Sequence, residues 1–140
     1  MMFDVIFQNR HLTATDTGAD IAHHKHVHEL YCELFKNVEC VDIQSNPSAN
    51  YDSNFWLTNI VFKKSIDTES FCLELDKAGI EARPLWKPMH LQPVYQNSPS
   101  FTNGYSEYLF KHGICLPSGP YVKDDDMKYI VDSIKAAIVG

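Results

Sequence analysis

The sequence has little positive charge and lacks the short motifs that identify a catalytic or nucleotide-binding site on their own. Its 140 residues hold 12 lysines and arginines against 18 aspartates and glutamates, for a formal net charge of −6. No basic stripe is available to neutralise phosphates, so the composition argues against nucleic-acid partners. The chain contains no G-x-S-x-G, no P-loop and no G-x-G-x-x-G. We therefore predict no self-contained catalytic machinery and assign no catalytic residue.

Long apolar runs and paired cysteines are missing too. The longest apolar stretches, such as 136–139, are far shorter than the roughly 20 residues that a transmembrane helix needs. The first seven residues include Asp4 and no basic leader, which argues against a signal peptide. The four cysteines show no C-x-x-C spacing, so we interpret them as free, mostly buried thiols. These features predict a soluble cytoplasmic protein with no membrane partner.

Hydrophobic spacing predicts short strands alternating with helices. The segment 1–18 is crowded with turn-forming residues and is predicted to be poorly defined. The predicted elements that follow are a helix over 20–36, strands over 39–43 and 54–62, a helix over 67–78, a strand over 80–85, a helix ending at Lys111, a strand over 114–116 and a helix over 124–138. Few strands separated by short helices indicate an α+β fold, a small sandwich with helices on one face of the sheet.

Four of the seven histidines cluster in the first predicted helix, at His23, His24, His26 and His28. On a helix, His24 and His28 share a face at a spacing that a metal ion accepts. A third ligand is missing, and no H-E-x-x-H pattern is present. We interpret the cluster as the polar outer face of an amphipathic helix and predict no metal site. A His-rich metal module is the alternative.

The run from Arg83 to His90 reads R-P-L-W-K-P-M-H. Each proline fixes φ and pushes the residue before it towards extended geometry. The run is therefore predicted to be stiff, extended and non-helical. It concentrates cations and one large aromatic ring, a combination suited to an anionic ligand with a flat ring.

Five residues in and after this run are the candidate binding residues. Arg83 offers a planar fork and Lys87 a point charge for phosphate or carboxylate oxygens. Trp86 offers a stacking face, and His90 can donate to an oxygen or carry a proton near neutral pH. Tyr95 adds a neutral donor. The alternative is that Arg83 makes an internal salt bridge and Trp86 packs in the core.

Longer stretches of the chain resemble a known family. The order G-I-E-A-R-P-L-W-K-P-M-H-L-Q-P-V-Y, then E-Y-L-F-K-H-G-I-C-L-P-S-G, then a terminal amphipathic helix, resembles the C-terminal domain of DegT/StrS-type aminotransferases. These are pyridoxal phosphate enzymes that aminate nucleotide-linked keto-sugars. The resemblance covers roughly residues 19–138 and implies that 19–140 form the C-terminal small domain of a fold-type I transferase, with a few-stranded, mainly antiparallel sheet.

The resemblance also implies what each part of the chain does. The family's Schiff-base lysine and most cofactor contacts belong to a larger N-terminal domain, and none of the ten lysines here lies in that motif. We therefore expect this chain alone to bind no pyridoxal phosphate and to be inactive. The W-K-P-M-H stretch would lie at the mouth of the active site, so the resemblance makes substrate contacts of His90, Arg83, Trp86, Lys87 and Tyr95.

Several interpretations of such a chain remain open. It is an expressed fragment, the product of a truncated gene, or half of a split enzyme that docks onto a separate large domain. The family works as dimers, which makes a homodimer a further expected partner beside the nucleotide-sugar substrate. The rival function is a non-catalytic remnant or an anionic nucleotide-binding module.

Overall fold

A computed structural model describes residues 17–139, and most of the predicted 1–18 segment lies outside the described residues. Two short 3-10 turns, Met89–Leu91 and Pro93–Tyr95, lie in the long connection before the third helix. The other elements, in chain order, are α1 (Thr17–Phe35), β1 (Val41–Ile43), β2 (Thr58–Phe62), α2 (Thr68–Lys77), β3 (Arg83–Pro84), α3 (Tyr105–His112), β4 (Gly113–Leu116) and α4 (Asp124–Val139).

The four strands form one open antiparallel sheet in the order β1-β2-β4-β3. In the central pair, Ile60 of β2 lies opposite Ile114 of β4. On the β1 side of β2, Val41 lies opposite Phe62. The predicted α+β class with a small, mainly antiparallel sheet is confirmed.

The core lies between one face of this sheet and the three longer helices. Side chains alternate along a strand, so Ile60 and Phe62 share a face with Ile114. That face is buried with apolar residues of α1, α2 and α4, including Val27, Tyr31, Leu75, Met127, Val131 and Ile134. Each fully buried side chain of this size contributes roughly 1.5–3 kcal/mol. The hydroxyl of Tyr31 donates to the carbonyl of Pro117 at 2.9 Å, which satisfies the polar atom of a buried ring.

The second face of the sheet is more polar and is bordered by the short helix α3. Asn59 and Cys115 lie opposite each other on this face, and Val61 follows Asn59 by two residues. Val61 is buried but separate from the main core. It lines a surface depression together with Tyr105 and Leu109 of α3. The helix α3 therefore lies beside the face that α1, α2 and α4 leave uncovered.

Strands β2 and β3 are shorter than predicted. The predicted strand over 54–62 begins only at Thr58, because Phe55 adopts a φ of 49°. The turn is held by Asn54, whose side-chain oxygen accepts from the Trp56 amide at 3.2 Å. The predicted strand over 80–85 pairs only through Arg83 and Pro84.

The predicted extended geometry of the run from Arg83 to His90 is wrong at its C-terminal end. Pro88 is extended, with φ −53° and ψ 143°, but Met89–Leu91 form a 3-10 turn. The Leu91 amide donates to the Pro88 carbonyl at 3.0 Å. Proline disfavours helical geometry in the residue before it, not in the residues after it. A 3-10 turn over Met89–Leu91 is therefore compatible with the proline at position 88.

The two ends of α2 agree with the sequence prediction. Asp67 is the N-cap, and its carboxylate accepts from the amides of Glu69 and Ser70 at 3.2 Å each. Hydrogen bonds from the Ser70 hydroxyl and amide lower the pKa of Asp67. Gly79 has a φ of 75°, the left-handed geometry that glycine adopts just past a helix end.

The interpretation of the histidine cluster as a polar outer face is wrong for His28. Its side chain is buried and stacks on Phe55, with ring centroids 3.7 Å apart. Nδ1 lies 3.4 Å from the Thr58 hydroxyl and Nε2 lies 3.6 Å from the Cys32 sulfur. Val27 and Tyr31, on the adjacent face of α1, are fully buried against the sheet. Their burial orients the helix so that the His28 side chain points towards strand β2.

The other histidines of the cluster make separate contacts. His23 donates to the Gly119 carbonyl at 3.0 Å, and His26 lies 3.0 Å from the Asp124 carboxylate. Within residues 17–139, no three His, Cys, Asp or Glu side chains come together as a group able to hold a metal ion. Over the same residues, no helix has the length and apolar character needed to cross a membrane.

The burial of His28 predicts a pH-dependent stability. Burial lowers the pKa of His28 below its usual 6.5, so the unfolded chain binds the proton more tightly than the folded chain. The free energy of unfolding should therefore fall as the pH drops through 6.5 towards the folded-state pKa. Urea titrations from pH 7.5 to 5 should show a smaller loss for H28Q than for wild type. Equal losses in the two proteins would contradict the prediction.

The junction between α3 and β4 predicts a second stability effect. A Cβ built on Gly113 would overlap the Leu85 side chain and lie 2.7 Å from the Leu109 carbonyl oxygen. G113A should therefore destabilise the chain by about 1–3 kcal/mol, the usual cost of overpacking. Denaturant unfolding measures the difference. G18A is the matched control, since outside its own helix no described residue lies within 4 Å of that added methyl group, and stability should be unchanged or higher.

Candidate functional site

The candidate site begins where the chain leaves strand β3. Arg83 pairs with Cys115, and the Leu85 amide still donates to the Gly113 carbonyl at 3.2 Å. Leu85 is buried against Gly113, which anchors the departing chain. The two residues that follow, Trp86 and Lys87, are exposed. Two exposed side chains after a buried anchor make this segment a surface edge rather than a core strand.

Trp86 is joined at this edge by Trp56. The two indole rings stack with centroids 6.0 Å apart and an interplanar angle of 29°. Their exposed fractions are 60% and 51%, so both rings keep a large area open to solvent. The alternative that Trp86 packs in the core is therefore wrong. Adjacent exposed aromatic rings form an apolar platform on which a flat base or a sugar ring can stack.

Trp56 is not among the predicted site residues, because it lies inside the predicted strand over 54–62. The observed strand starts two residues later, and the turn at Asn54 and Phe55 turns Trp56 outwards. The signal was present in the sequence. Asparagine favours turns, because its side chain can hydrogen-bond the backbone two residues further on.

Arg83 is held in an ion pair with Glu81. Both side chains are exposed, with fractions of 40% and 53%, so the pair contributes little to stability and an anionic ligand can displace the carboxylate. Arg83 also lies near Cys115. Burial raises the pKa of that thiol to about 11, and the guanidinium only partly opposes the effect. Cys115 is therefore a protonated structural thiol at neutral pH.

Neither Lys87 nor Tyr95 makes a side-chain hydrogen bond or an ion pair in the described part of the chain. Lys87 has no ion pair there, and its carbonyl accepts from the Gln92 side chain at 3.2 Å. Tyr95 is 39% exposed and belongs to the second 3-10 turn, where its amide donates to the Gln92 carbonyl at 2.9 Å. Gln92 thus ties the segments carrying both residues, and of the two candidate cations Lys87 is more available to a ligand than the paired Arg83.

His90 is brought to the third helix. Its Nε2 lies 2.6 Å from a carboxylate oxygen of Glu107, and the exposed fractions of the two side chains are 19% and 24%. The other oxygen of Glu107 accepts from the Ser106 hydroxyl at 3.1 Å. A backbone hydrogen bond at Glu107 itself, then those from His90 and Ser106, lower the pKa of this carboxyl. Glu107 is therefore ionised at neutral pH.

The sequence analysis missed Glu107 as well. Seventeen residues separate it from His90, and nothing in that interval indicates the contact. A serine followed by a glutamate at the start of a helix is explained well enough by the favourable field at a helix N-terminus. Only the packing of α3 beside the sheet shows that this glutamate has a second partner.

Two surface depressions formed by the described residues do not lie over the five predicted residues. One of about 630 Å³ is lined by 101–103, Tyr105, Ser106 and Leu109. The other, of about 480 Å³, lies between α3 and the second sheet face. The five predicted residues instead lie along the connection from β3 to the second 3-10 turn, an open edge at which His90 contacts Glu107 of α3. Such an edge supports stacking and ionic contacts but does not enclose a ligand.

Solved structures of aminotransferases share this fold. The protein Spr1654 of Streptococcus pneumoniae, named as a sugar aminotransferase and solved in its pyridoxal phosphate form, superposes with a TM-score of 0.77. The sequence identity is 21%, and the match covers 87% of this chain and 32% of that one. At this identity the likeness concerns the fold, which is the one found in a part of pyridoxal phosphate-dependent aminotransferases.

The sequence itself determines the family. A family model for the DegT/DnrJ/EryC1/StrS aminotransferases matches residues 11–135, and the chain belongs to this family. EpsN of Bacillus subtilis (strain 168), named as a pyridoxal phosphate-dependent aminotransferase, is 37% identical over 84 residues, covering 57% of this chain and 22% of EpsN. The GDP-perosamine synthase of Vibrio cholerae is 33% identical over 85 residues, covering 59% and 23% of the two chains. The chain thus matches less than a quarter of the length of these two relatives.

The residues described here do not by themselves fit the family's cofactor. Pyridoxal phosphate requires a lysine amine that can form an imine, together with donors for its phosphate. All ten lysines of the sequence lie within residues 17–139, and each is exposed or half-buried. Neither of the two depressions described above is lined by a lysine or an arginine. We derive no chemical step through the cofactor from this chain.

Proposed function

We propose that this chain is the substrate-side domain of a pyridoxal phosphate-dependent aminotransferase acting on nucleotide-linked keto-sugars, in the biosynthesis of cell-surface polysaccharides or glycans. Membership of the aminotransferase family supports the reaction class. The GDP-perosamine synthases among its relatives support a nucleotide-linked sugar as the substrate. The observation that carries the proposal is the exposed edge on which Trp86 stacks with Trp56, next in sequence to Lys87, which forms no ion pair with any residue in 17–139.

The roles in this proposal are binding and orientation. Lys87, assisted by Arg83, neutralises the diphosphate as a charge-assisted hydrogen-bond donor. Trp86 stacks on the base or the sugar ring, and His90 and Tyr95 contact sugar hydroxyls. Holding the sugar in one orientation contributes to the reaction through proximity, while bond chemistry is left to the cofactor.

The cofactor and the remaining partners belong to the same proposal. Pyridoxal phosphate would be bound mainly by a large domain that carries the Schiff-base lysine. That domain would be supplied by a separate chain or by a longer form of this one, and the complete enzyme would be a homodimer in the cytoplasm. Segment 1–18 and domain 19–140 remain the predicted division of the chain.

A second candidate function is a non-catalytic remnant or an anionic nucleotide-binding module. The observation in its favour is the availability of Lys87 together with the absence of a buried lysine among the ten. Both candidates bind a nucleotide at the same edge. They differ in whether a large domain restores amino transfer.

Nucleotide binding can be measured through intrinsic fluorescence, because Trp56 and Trp86 are the two tryptophans of the chain. We expect UDP-, GDP- or dTDP-linked sugars to quench the fluorescence in a saturable way. K87A should weaken binding by about tenfold or more, the cost of losing an ionic hydrogen bond. K36A, which removes an equally exposed charge just after α1, should leave binding unchanged. Undetectable binding of every nucleotide would contradict the proposal and leave a folded remnant.

Activity separates the two candidate functions. The purified 140-residue chain should show neither visible-edge cofactor absorbance nor amino transfer, because no lysine in it is placed to form the imine. Mixing or co-expression with the large domain of a related family member should restore turnover if the chain is a substrate-side domain. Turnover by the chain alone would contradict the assigned role. Failure of every large domain to restore turnover, with nucleotide binding intact, would favour the binding module.

A further inference from the structure

We propose that Glu107 is a positioning residue for His90, holding the imidazole by Nε2 so that Nδ1 is the ring nitrogen that meets the ligand. The inference rests on the proposed function in one respect, namely that His90 contacts the substrate. It gives Glu107 a role that the sequence analysis did not assign. It also specifies which atom of His90 meets the ligand, namely the ring nitrogen Nδ1.

The first step is the hydrogen bond itself. Nε2 of His90 and Oε1 of Glu107 lie 2.6 Å apart, close enough for a charge-assisted hydrogen bond. The carboxylate is held at its other oxygen by the Ser106 hydroxyl. An ionised carboxylate can only accept, so the shared proton belongs to Nε2. In the neutral imidazole, Nδ1 then carries the free lone pair.

The second step is the rigidity of the two supports. His90 lies in the 3-10 turn Met89–Leu91, which follows Pro88 and precedes Pro93. Glu107 lies in the first turn of α3, and that helix continues directly into β4 at Gly113. The contact therefore connects a stiff loop with a helix tied to the sheet, and it spans the long connection between them. Both side chains are mostly buried, which limits competition from water.

The third step is the chemistry left to the ligand. Nδ1 of His90 forms no hydrogen bond with any residue in 17–139. In the neutral imidazole this nitrogen accepts a hydrogen bond and so selects a ligand group that donates one. Phosphate oxygens lack such a donor at neutral pH, whereas sugar hydroxyls have one. We assign His90 to the sugar part of the ligand, and leave the diphosphate to Lys87.

Nuclear magnetic resonance tests the positioning without any ligand. The 140-residue chain should show a slowly exchanging, downfield N–H signal from an imidazole Nε2, assigned to His90 by its loss in H90Q. E107A should abolish the signal while circular dichroism stays unchanged. E107Q should restore it in part, because the amide oxygen can still accept. E74Q, which removes another helical glutamate paired with a cation, should leave it intact. A signal that persists unchanged in E107A would overturn the proposal.

Ligand titration tests the consequence for the site. UDP-glucose, GDP-mannose and dTDP-glucose, each compared with its parent nucleoside diphosphate, are the probes. E107A should weaken the sugar nucleotides by about tenfold and leave the parent diphosphates unchanged, with E107Q between E107A and wild type. Equal weakening of both kinds of probe would overturn the assignment of His90 to the sugar. If wild type binds no probe yet the N–H signal depends on Glu107, the positioning stands and the proposed function fails.

Discussion

The antiparallel pairing of β2 with β4 is the constraint on which the rest of the structure depends. It aligns Ile60 with Ile114 and Thr58 with Leu116, which gives the sheet one wholly buried face. Removing that apolar face from water is the dominant favourable contribution to folding, and α1, α2 and α4 pack on it. The same pairing leaves the second face beside α3, where the candidate site lies. The location of the site thus follows from which sheet face is filled.

The close approach of Leu85 to Gly113 fixes the end of β3 at which the candidate site begins. A side chain at 113 would meet Leu85, so the absence of a Cβ lets β3 end flush against the start of β4. The exposed residues Trp86 and Lys87 come shortly after β3, and α3 leads directly into β4. Both supports of the His90–Glu107 contact are therefore tied to the same point in the sheet. The positions of the residues at the exposed edge therefore depend on the packing of Leu85 against Gly113.

Much of the fold was predictable from local patterns. Helices were recognised because apolar residues recur every three or four positions, and Asp67 and Gly79 mark the ends of α2 through chemistry that acts within a few residues. The misses share a different cause. His28 was assigned to the surface because Val27, Leu30 and Leu34 predict a buried face on the opposite side of the helix, yet it stacks on Phe55, which is distant in sequence. Trp56 was assigned to a strand because its neighbours are aromatic, although the turn at Asn54 faces it outwards.

The sequence by itself determined the elements, the family and the five candidate residues in and after the run at 83–90, because helix caps, hydrophobic periods and local motifs are written in neighbouring residues. Only the tertiary structure decided that Trp56 stacks on Trp86, that Arg83 is paired with Glu81 and that His90 meets Glu107. Two of these contacts join residues 17 to 30 positions apart, and their energies depend on distances of a few ångströms that packing sets. Local sequence carries no record of such distances, since they exist only once the sheet has brought the segments together.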